Sequence, residues 1–207
     1  MPFNTSKKSL QRLAKVMDKL KRRSQMKETL SLIDEVYRTE MSSLISKNLF
    51  QLFSELNVIQ QKICIGAFSP IAKEPLMNIL QNEEIGKLTS FPAFDSETGM
   101  MIFRKARIQD LVSKTDFGPK ISGPDESASE VVPGLILIPG IAFSATGDRL
   151  GRGKGFYDKY LGKPKFKGVK IGICFSIQLV DSIPTEEHDV ALDYIVTEKE
   201  IIKCKYA

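Results

Sequence analysis

Between residues 7 and 33 apolar side chains recur at three- and four-residue steps. Leu10, Leu13, Val16, Met17 and Leu20 alternate with lysine and arginine, which predicts an amphipathic helix. A second helix is predicted from Asp34 to Glu55, with Asp34 as its N-cap and Val36, Met41, Leu44, Ile45, Leu49, Leu52 and Phe53 as its apolar face. The pattern then changes. Lys62 to Phe68 is a short continuous apolar run ending at Ser-Pro, as expected of a strand buried on both faces. Further strands are predicted at Leu88 to Phe91 before Pro92, Met100 to Phe103, Leu135 to Ile138, Lys170 to Phe175 and Asp193 to Val196, with a helix at about 73–82. Residues 112–132 are rich in Gly, Pro, Ser, Asp and Lys without periodicity and read as a long surface loop. Apolar strands alternating with helices imply an α/β fold, a mainly parallel sheet with helices on both faces in a Rossmann-like three-layer arrangement. With 207 residues and no internal repeat, one domain over 1–207 with a helical N-terminal extension is expected.

Composition excludes several classes. At 42% hydrophobic and 27% charged residues the chain is neither disordered nor fibrous. No apolar run approaches the ~18–20 residues of a membrane span, and the basic N-terminus lacks the apolar stretch of a secretory signal, so a cytoplasmic location without membrane contact is expected. Cys64, Cys174 and Cys204 form no C-x-x-C pair and are expected to be core thiols. The net charge of +5 is unevenly spread. Residues 1–27 carry nine basic side chains and one acidic, residues 148–170 eight and two, and the rest of the chain is near −9. Two basic islands on an acidic body point to an anion bound by one or both. Nine cations in 27 residues are compatible with a nucleic-acid partner, but this stretch offers one aromatic, Phe3, and no nucleic-acid motif, so a nucleic-acid-binding protein using the basic helix stands as the main alternative and not as the expectation.

The densest chemical signal runs from Leu135 to Leu161. A buried strand feeds a loop with glycines at 147, 151, 153 and 155 and cations at Arg149, Arg152 and Lys154, and an amphipathic start follows from Phe156. Glycines let backbone N–H groups approach a ligand, and the adjacent helix start and cations favour an anion, so the alternatives are a polyphosphate cradle and a flexible connection. It is neither a P-loop, since Gly153-Lys154 is followed by glycine, nor a dinucleotide fingerprint, since Phe156 stands where the third glycine would. Asp158 follows the loop and Asp189 precedes the last predicted strand. Two carboxylates beside a polyphosphate are what magnesium requires. His188 is the sole histidine and is expected to be solvated, with no serine placed for a triad.

The string Pro139-Gly-Ile-Ala-Phe-Ser-Ala-Thr-Gly-Asp-Arg-Leu-Gly-Arg-Gly-Lys-Gly-Phe-Tyr-Asp-Lys-Tyr-Leu161 resembles the signature of the 5-formyltetrahydrofolate cyclo-ligase family. The likeness extends more weakly over the basic N-terminal helix, the stretch Ile63 to Glu74, the segment Gln178 to Asp181 and the turn Pro184 to Asp189. It implies an enzyme that closes 5-formyltetrahydrofolate to 5,10-methenyltetrahydrofolate with ATP and magnesium; a monomer is expected, although the sequence itself does not reveal oligomeric state. On that resemblance Arg149, Leu150, Gly151, Arg152, Gly153, Lys154, Gly155, Phe156 and Tyr157 hold ATP, joined by Lys19 and Arg23 from the N-terminal helix. Arg152 to Phe156, Ser69 and Glu74 contact the folate, Arg152, Lys154 and Tyr157 act in catalysis, and Asp158 and Asp189 ligate magnesium. Lys8 and Arg12 have the same Lys-x-x-x-Arg spacing as Lys19 and Arg23. The family's spacing to the Ser42 helix and Glu74 selects the second pair and makes residues 1–18 an extension. Two departures from the family pattern stand out: Ser144 where aspartate is common, and Gly123-Pro124 where Glu-Pro or Gln-Pro is common. A relative of this fold that binds folate or nucleotide without ligase activity is the alternative the resemblance leaves.

Overall fold

Leu135, Ile136, Leu137 and Ile138 are all fully buried, and successive residues serve opposite faces of a sheet. Leu135 and Leu137 join Ile45, Leu49, Leu52 and Phe53 in one apolar cluster, while Ile136 and Ile138 join Phe103, Tyr160, Leu161 and Phe166 in another. That strand, β7 (Leu135–Pro139), therefore lies at the middle of a three-layer structure. The computed structural model describes residues 7–114, 121–186 and 189–205.

Two helices come first, α1 (Lys7–Ser31) and α2 (Glu35–Glu55). The Asp34 carboxylate caps α2, accepting from the Tyr37 N–H at 2.7 Å. Then come β1 (Ile65–Gly66), a 3₁₀ turn at Asn78–Gln81, the single-turn α3 (Glu83–Gly86), β2 (Thr89–Phe94), β3 (Met101–Lys105), β4 (Val112–Lys114), β5 (Ile121–Gly123) and β6 (Glu130–Val131). After β7 follow β8 (Ala142–Phe143), β9 (Arg149–Leu150), α4 (Phe156–Leu161), β10 (Val169–Ile173), β11 (Tyr194–Val196) and β12 (Ile201–Lys203). The main sheet has eight strands in the order β12-β11-β10-β7-β1-β2-β3-β6. Its centre, β11 through β2, is parallel, and β12, β3 and β6 add antiparallel edges. From β1 the chain moves to β2 on one side, and from β7 to β10 and β11 on the other. The strand order thus reverses between β1 and β7, where ligands of open α/β sheets collect beyond the carboxyl ends.

Four details differ from the sequence reading. The apolar stripe of α1 faces solvent: Leu10, Leu13, Met17 and Leu20 are each more than half exposed, whereas Lys19 is buried and Met26 and Leu30 pack on the core. The helix at 73–82 is a turn followed by the 3₁₀ segment and α3. Pro75 has no N–H to donate to a helical ladder and disfavours a helical Glu74, and Asn82 ends the run by capping α3 through the Glu84 and Ile85 N–H groups. Pro92 does not end its strand, because it lies past the pairing of β2 with β1, where a missing N–H is tolerated. Within 112–132, β4 pairs with β5 and β6 extends the sheet edge; residues 115–120 of that stretch lie outside the described residues. Cys64, Cys174 and Cys204 are free thiols. No helix among the described residues is long and apolar enough to cross a membrane.

Candidate active site

Beyond the carboxyl ends of β1 and β7 lies a cleft of about 1370 Å³. Pockets for one drug-sized ligand are commonly ~300–1000 Å³, so this one has room for two substrates side by side. One wall is the segment from Arg149 to Asp158. After the β8–β9 hairpin the chain turns at Gly153 (φ 104°) and Gly155 (φ 66°), both in left-handed conformations that side-chain-bearing residues rarely adopt, and Gly155 caps α4. The opposite wall is the turn after β1, from Phe68 to Glu74, with Lys19 and Arg23 of α1 beside it.

Every residue nominated from the sequence lines this cleft: Lys19, Arg23, Ser69, Glu74, Arg149 to Asp158 and Asp189. The cations are held by specific oxygens. Arg152 places Nη2 at 2.8 Å and Nε at 3.3 Å from one oxygen of Glu74, joining the two walls. Lys19 Nζ is 2.7 Å from Asp189 and 3.1 Å from Glu186. Arg23 Nε donates to the Gly151 carbonyl at 2.9 Å, tying α1 to the glycine loop. Arg149 is buried against Asp158 at 2.8 Å, reaches the Pro139 carbonyl at 3.4 Å and lies over the Tyr157 ring. Among the described residues its Nε is a buried donor without a hydrogen-bond partner. Lys154 Nζ sits 5.8 Å above the Phe156 ring.

These contacts set the ionisation of the site. Burial raises the pKa of Glu74, opposed by the charges of Arg152 and Arg38 and by hydrogen bonds from Arg152 and the Ile71 N–H. Burial works against the charge of Lys19, but its hydrogen bonds to Asp189 and Glu186 outweigh it and the pKa rises. Tyr157 is pushed well up, first by burial and then by the Glu74 charge, against Arg149, and stays a neutral phenol that can donate a hydrogen bond.

Among the described residues no three acidic or thiol/imidazole side chains cluster as a metal cage. Asp158 and Asp189 do share a smaller recess of about 160 Å³ with Asp148 and Glu186 at one end of the cleft. Magnesium commonly takes one or two carboxylates and completes its shell with water and phosphate oxygens, so these hard oxygen donors suit it. His188 lies outside the described residues, as do the side chains of Lys8 and Arg12.

Sequence reading missed Arg38, Arg104, Glu186 and the Phe94–Phe156 pair, which meet edge-to-face with ring centroids 4.7 Å apart. Only Glu186 carried a signal, its place in the acidic run before Asp189. Of the two departures from the family pattern, Gly123-Pro124 lies on the cleft wall. Ser144 is buried and, with Thr146, hydrogen-bonds the Asp148 carboxylate at 2.9 and 2.6 Å, so a carboxylate reaches that position from four residues on.

A sequence profile described as the 5-formyltetrahydrofolate cyclo-ligase family matches residues 7–198. Among curated proteins the chain is similar to the 5-formyltetrahydrofolate cyclo-ligase of Mus musculus, 24% identical over 187 residues that cover 85% of this chain and 91% of that protein. It is also similar to that of Mycolicibacterium smegmatis, 31% identical over 156 residues, or 70% and 78%. Among solved structures the 5,10-methenyltetrahydrofolate synthetase of Aquifex aeolicus superposes with a TM-score of 0.73 at 25% identity, covering 91% of this chain and 94% of that one. A cleft at the strand-order reversal, walled by the very string that carries the sequence resemblance, together with a profile match over nearly the whole chain, places this protein in the 5-formyltetrahydrofolate cyclo-ligase family.

Proposed function

We propose that the protein converts 5-formyltetrahydrofolate and ATP into 5,10-methenyltetrahydrofolate, ADP and phosphate. The observation that carries this reading is the Arg152–Glu74 bridge, which sets a polar, buried carboxylate suited to a folate ring opposite a cationic glycine loop suited to a triphosphate. The N–H groups of the loop from Gly151 to Gly155, with Arg23, Lys19 and Lys154, bind the phosphates. Glu74 and the Ser69 turn orient the pterin, and Pro92, Phe94, Met101 and Phe156 supply an apolar wall for the ring systems.

In the first step the formyl oxygen attacks the γ-phosphorus and the bond to the β-phosphate oxygen breaks, releasing ADP. N10 then bonds to the activated formyl carbon and loses its proton, and the carbon–oxygen bond breaks so that phosphate departs with the former formyl oxygen. No covalent nucleophile is needed; the protein contributes positioning and charge stabilisation. Arg152 and Lys154 meet the charge that spreads over the transferring phosphoryl oxygens, and Tyr157 offers a neutral donor beside them. A magnesium ion held by Asp158 and Asp189 would neutralise charge on the β- and γ-phosphates. We place this monomeric enzyme in the cytoplasm, in line with its free thiols.

With ¹⁸O in the formyl group, the label is expected in the released phosphate, read by mass spectrometry or ³¹P NMR. Unlabelled phosphate alongside product would rule out attack by the formyl oxygen. Four cations of α1 are engaged by the protein itself, which leaves exposed Lys21 and Lys27 a thin footprint for nucleic acid: Lys15 and Arg22 donate to the Thr185 and Ser182 carbonyls, and Lys19 and Arg23 turn into the cleft.

A further inference from the structure

Glu74 closes a turn, its N–H donating to the Ile71 carbonyl at 3.0 Å and its carboxylate accepting the Ile71 N–H at 3.1 Å, and α2 anchors that turn. Arg38 Nε donates to the Glu74 carbonyl at 2.8 Å and Nη2 to the Ile71 carbonyl at 3.3 Å. One turn further along the same helix, Ser42 Oγ accepts the Leu76 N–H at 2.8 Å while donating to the Arg38 carbonyl. Lys73, in a left-handed conformation (φ 68°), reaches back to the Ile33 carbonyl just ahead of the α2 N-cap. The segment 71–76 is thus clamped at both ends, and Arg38 is the only one of these side chains that bonds the backbone of Glu74 itself. Its side chain is 12% exposed and also pairs with Glu35.

We propose that Arg38 is a positioning residue for the folate side of the reaction: it fixes the backbone of Glu74 and supplies a second positive charge beside that buried carboxylate. This rests on the reading of the cleft as a folate and ATP site. Planar guanidinium geometry is required, because two carbonyls one turn apart are met by two nitrogens of one fork, which a lysine ammonium cannot reproduce. The charge is required because Arg152, the other cation at Glu74, is half exposed and must also serve the nucleotide. The groups that face Glu74 are Arg38 from α2, Arg152 from the glycine loop and Tyr157 from α4.

The test is Arg38→Met beside Arg38→Lys. In Arg38→Met the KM for 5-formyltetrahydrofolate is expected to rise about ten- to a hundredfold, as misplacement of a binding group by about 1 Å can cost, with the KM for ATP unchanged. Removing a cation disfavours ionised Glu74, so the acid limb of kcat/KM for folate should move to higher pH. Arg38→Lys keeps the charge and should leave that limb in place while recovering only part of the folate affinity. Equal losses for both substrates with an unmoved limb in Arg38→Met would overturn the proposal, as would wild-type folate kinetics. The Glu74 carboxylate is also followed by ¹³C NMR titration of the ligand-free protein, assigned with Glu74→Gln. A midpoint that does not rise in Arg38→Met overturns the electrostatic role whether or not the protein cyclises folate. A wild-type enzyme that makes no product while that midpoint does rise overturns only the functional reading.

Discussion

Arg152→Ala is expected to lower kcat/KM for cyclisation by about a hundred- to a thousandfold, the loss typical of one donor aimed at developing charge in a water-poor site. Two effects combine. The phosphoryl oxygens lose the guanidinium, and the buried carboxylate of Glu74 loses its nearest cation, 2.8 Å away. Burial already holds the pKa of Glu74 above its ordinary value. Without Arg152 it rises further, so the variant should regain some folate affinity as pH is increased. Stability should fall by about 1–3 kcal/mol: the Arg152 side chain is 48% exposed, but Glu74 is 8% exposed and is left short of a partner. Steady-state kinetics in both substrates with a melting curve checks this. Arg152→Lys should fall between, retaining charge without the planar fork. An Arg152→Ala enzyme with wild-type kcat/KM would remove the bridge from the mechanism.

Asp158→Ala is expected to lose both activity and stability. Asp158 accepts from Arg149, a side chain only 6% exposed whose Nε already lacks a hydrogen-bond partner among the described residues. Taking away the carboxylate leaves a buried guanidinium with the Pro139 carbonyl alone, and breaking a buried pair from one side costs about 3 kcal/mol. Asp158→Asn separates the two roles. It keeps an acceptor for Arg149, so denaturant unfolding should lie much closer to wild type, while activity should remain low and require far more magnesium. An Asp158→Asn enzyme with full activity at ordinary magnesium would show that this carboxylate serves Arg149 and not a metal.

How much of this was legible beforehand depends on where the signal resides. Strand β7 reads clearly because a strand buried on both faces has a continuous apolar run, here Leu135 to Ile138, and β10 reads through its buried end, Ile171 to Ile173. The wall of the cleft from Arg149 to Asp158 was legible because glycines, cations and a helix start fall within ten residues of chain. The other wall was not. Glu74 is identified by family resemblance alone, and Arg38 by nothing in the sequence, since its partners are main-chain carbonyls 33 and 36 residues away. In α1 the period gave the helix but the wrong face. The cleft holds Lys19 and Arg23 through ion pairing and hydrogen bonding, which outweighs the apolar stripe in orienting the helix. From the two basic islands, Lys19 and Arg23 on one side and Arg149, Arg152 and Lys154 on the other line one cleft, whereas Lys163 and Lys170 bond elsewhere and Lys15 docks the helix on the Thr185 carbonyl.

Folate cyclisation driven by ATP in this cleft has a direct spectroscopic readout. Purified protein mixed with magnesium, ATP and 5-formyltetrahydrofolate should generate the near-ultraviolet absorbance of 5,10-methenyltetrahydrofolate, with one ADP and one phosphate formed per product. No absorbance change, with ATP and folate both intact, would contradict it.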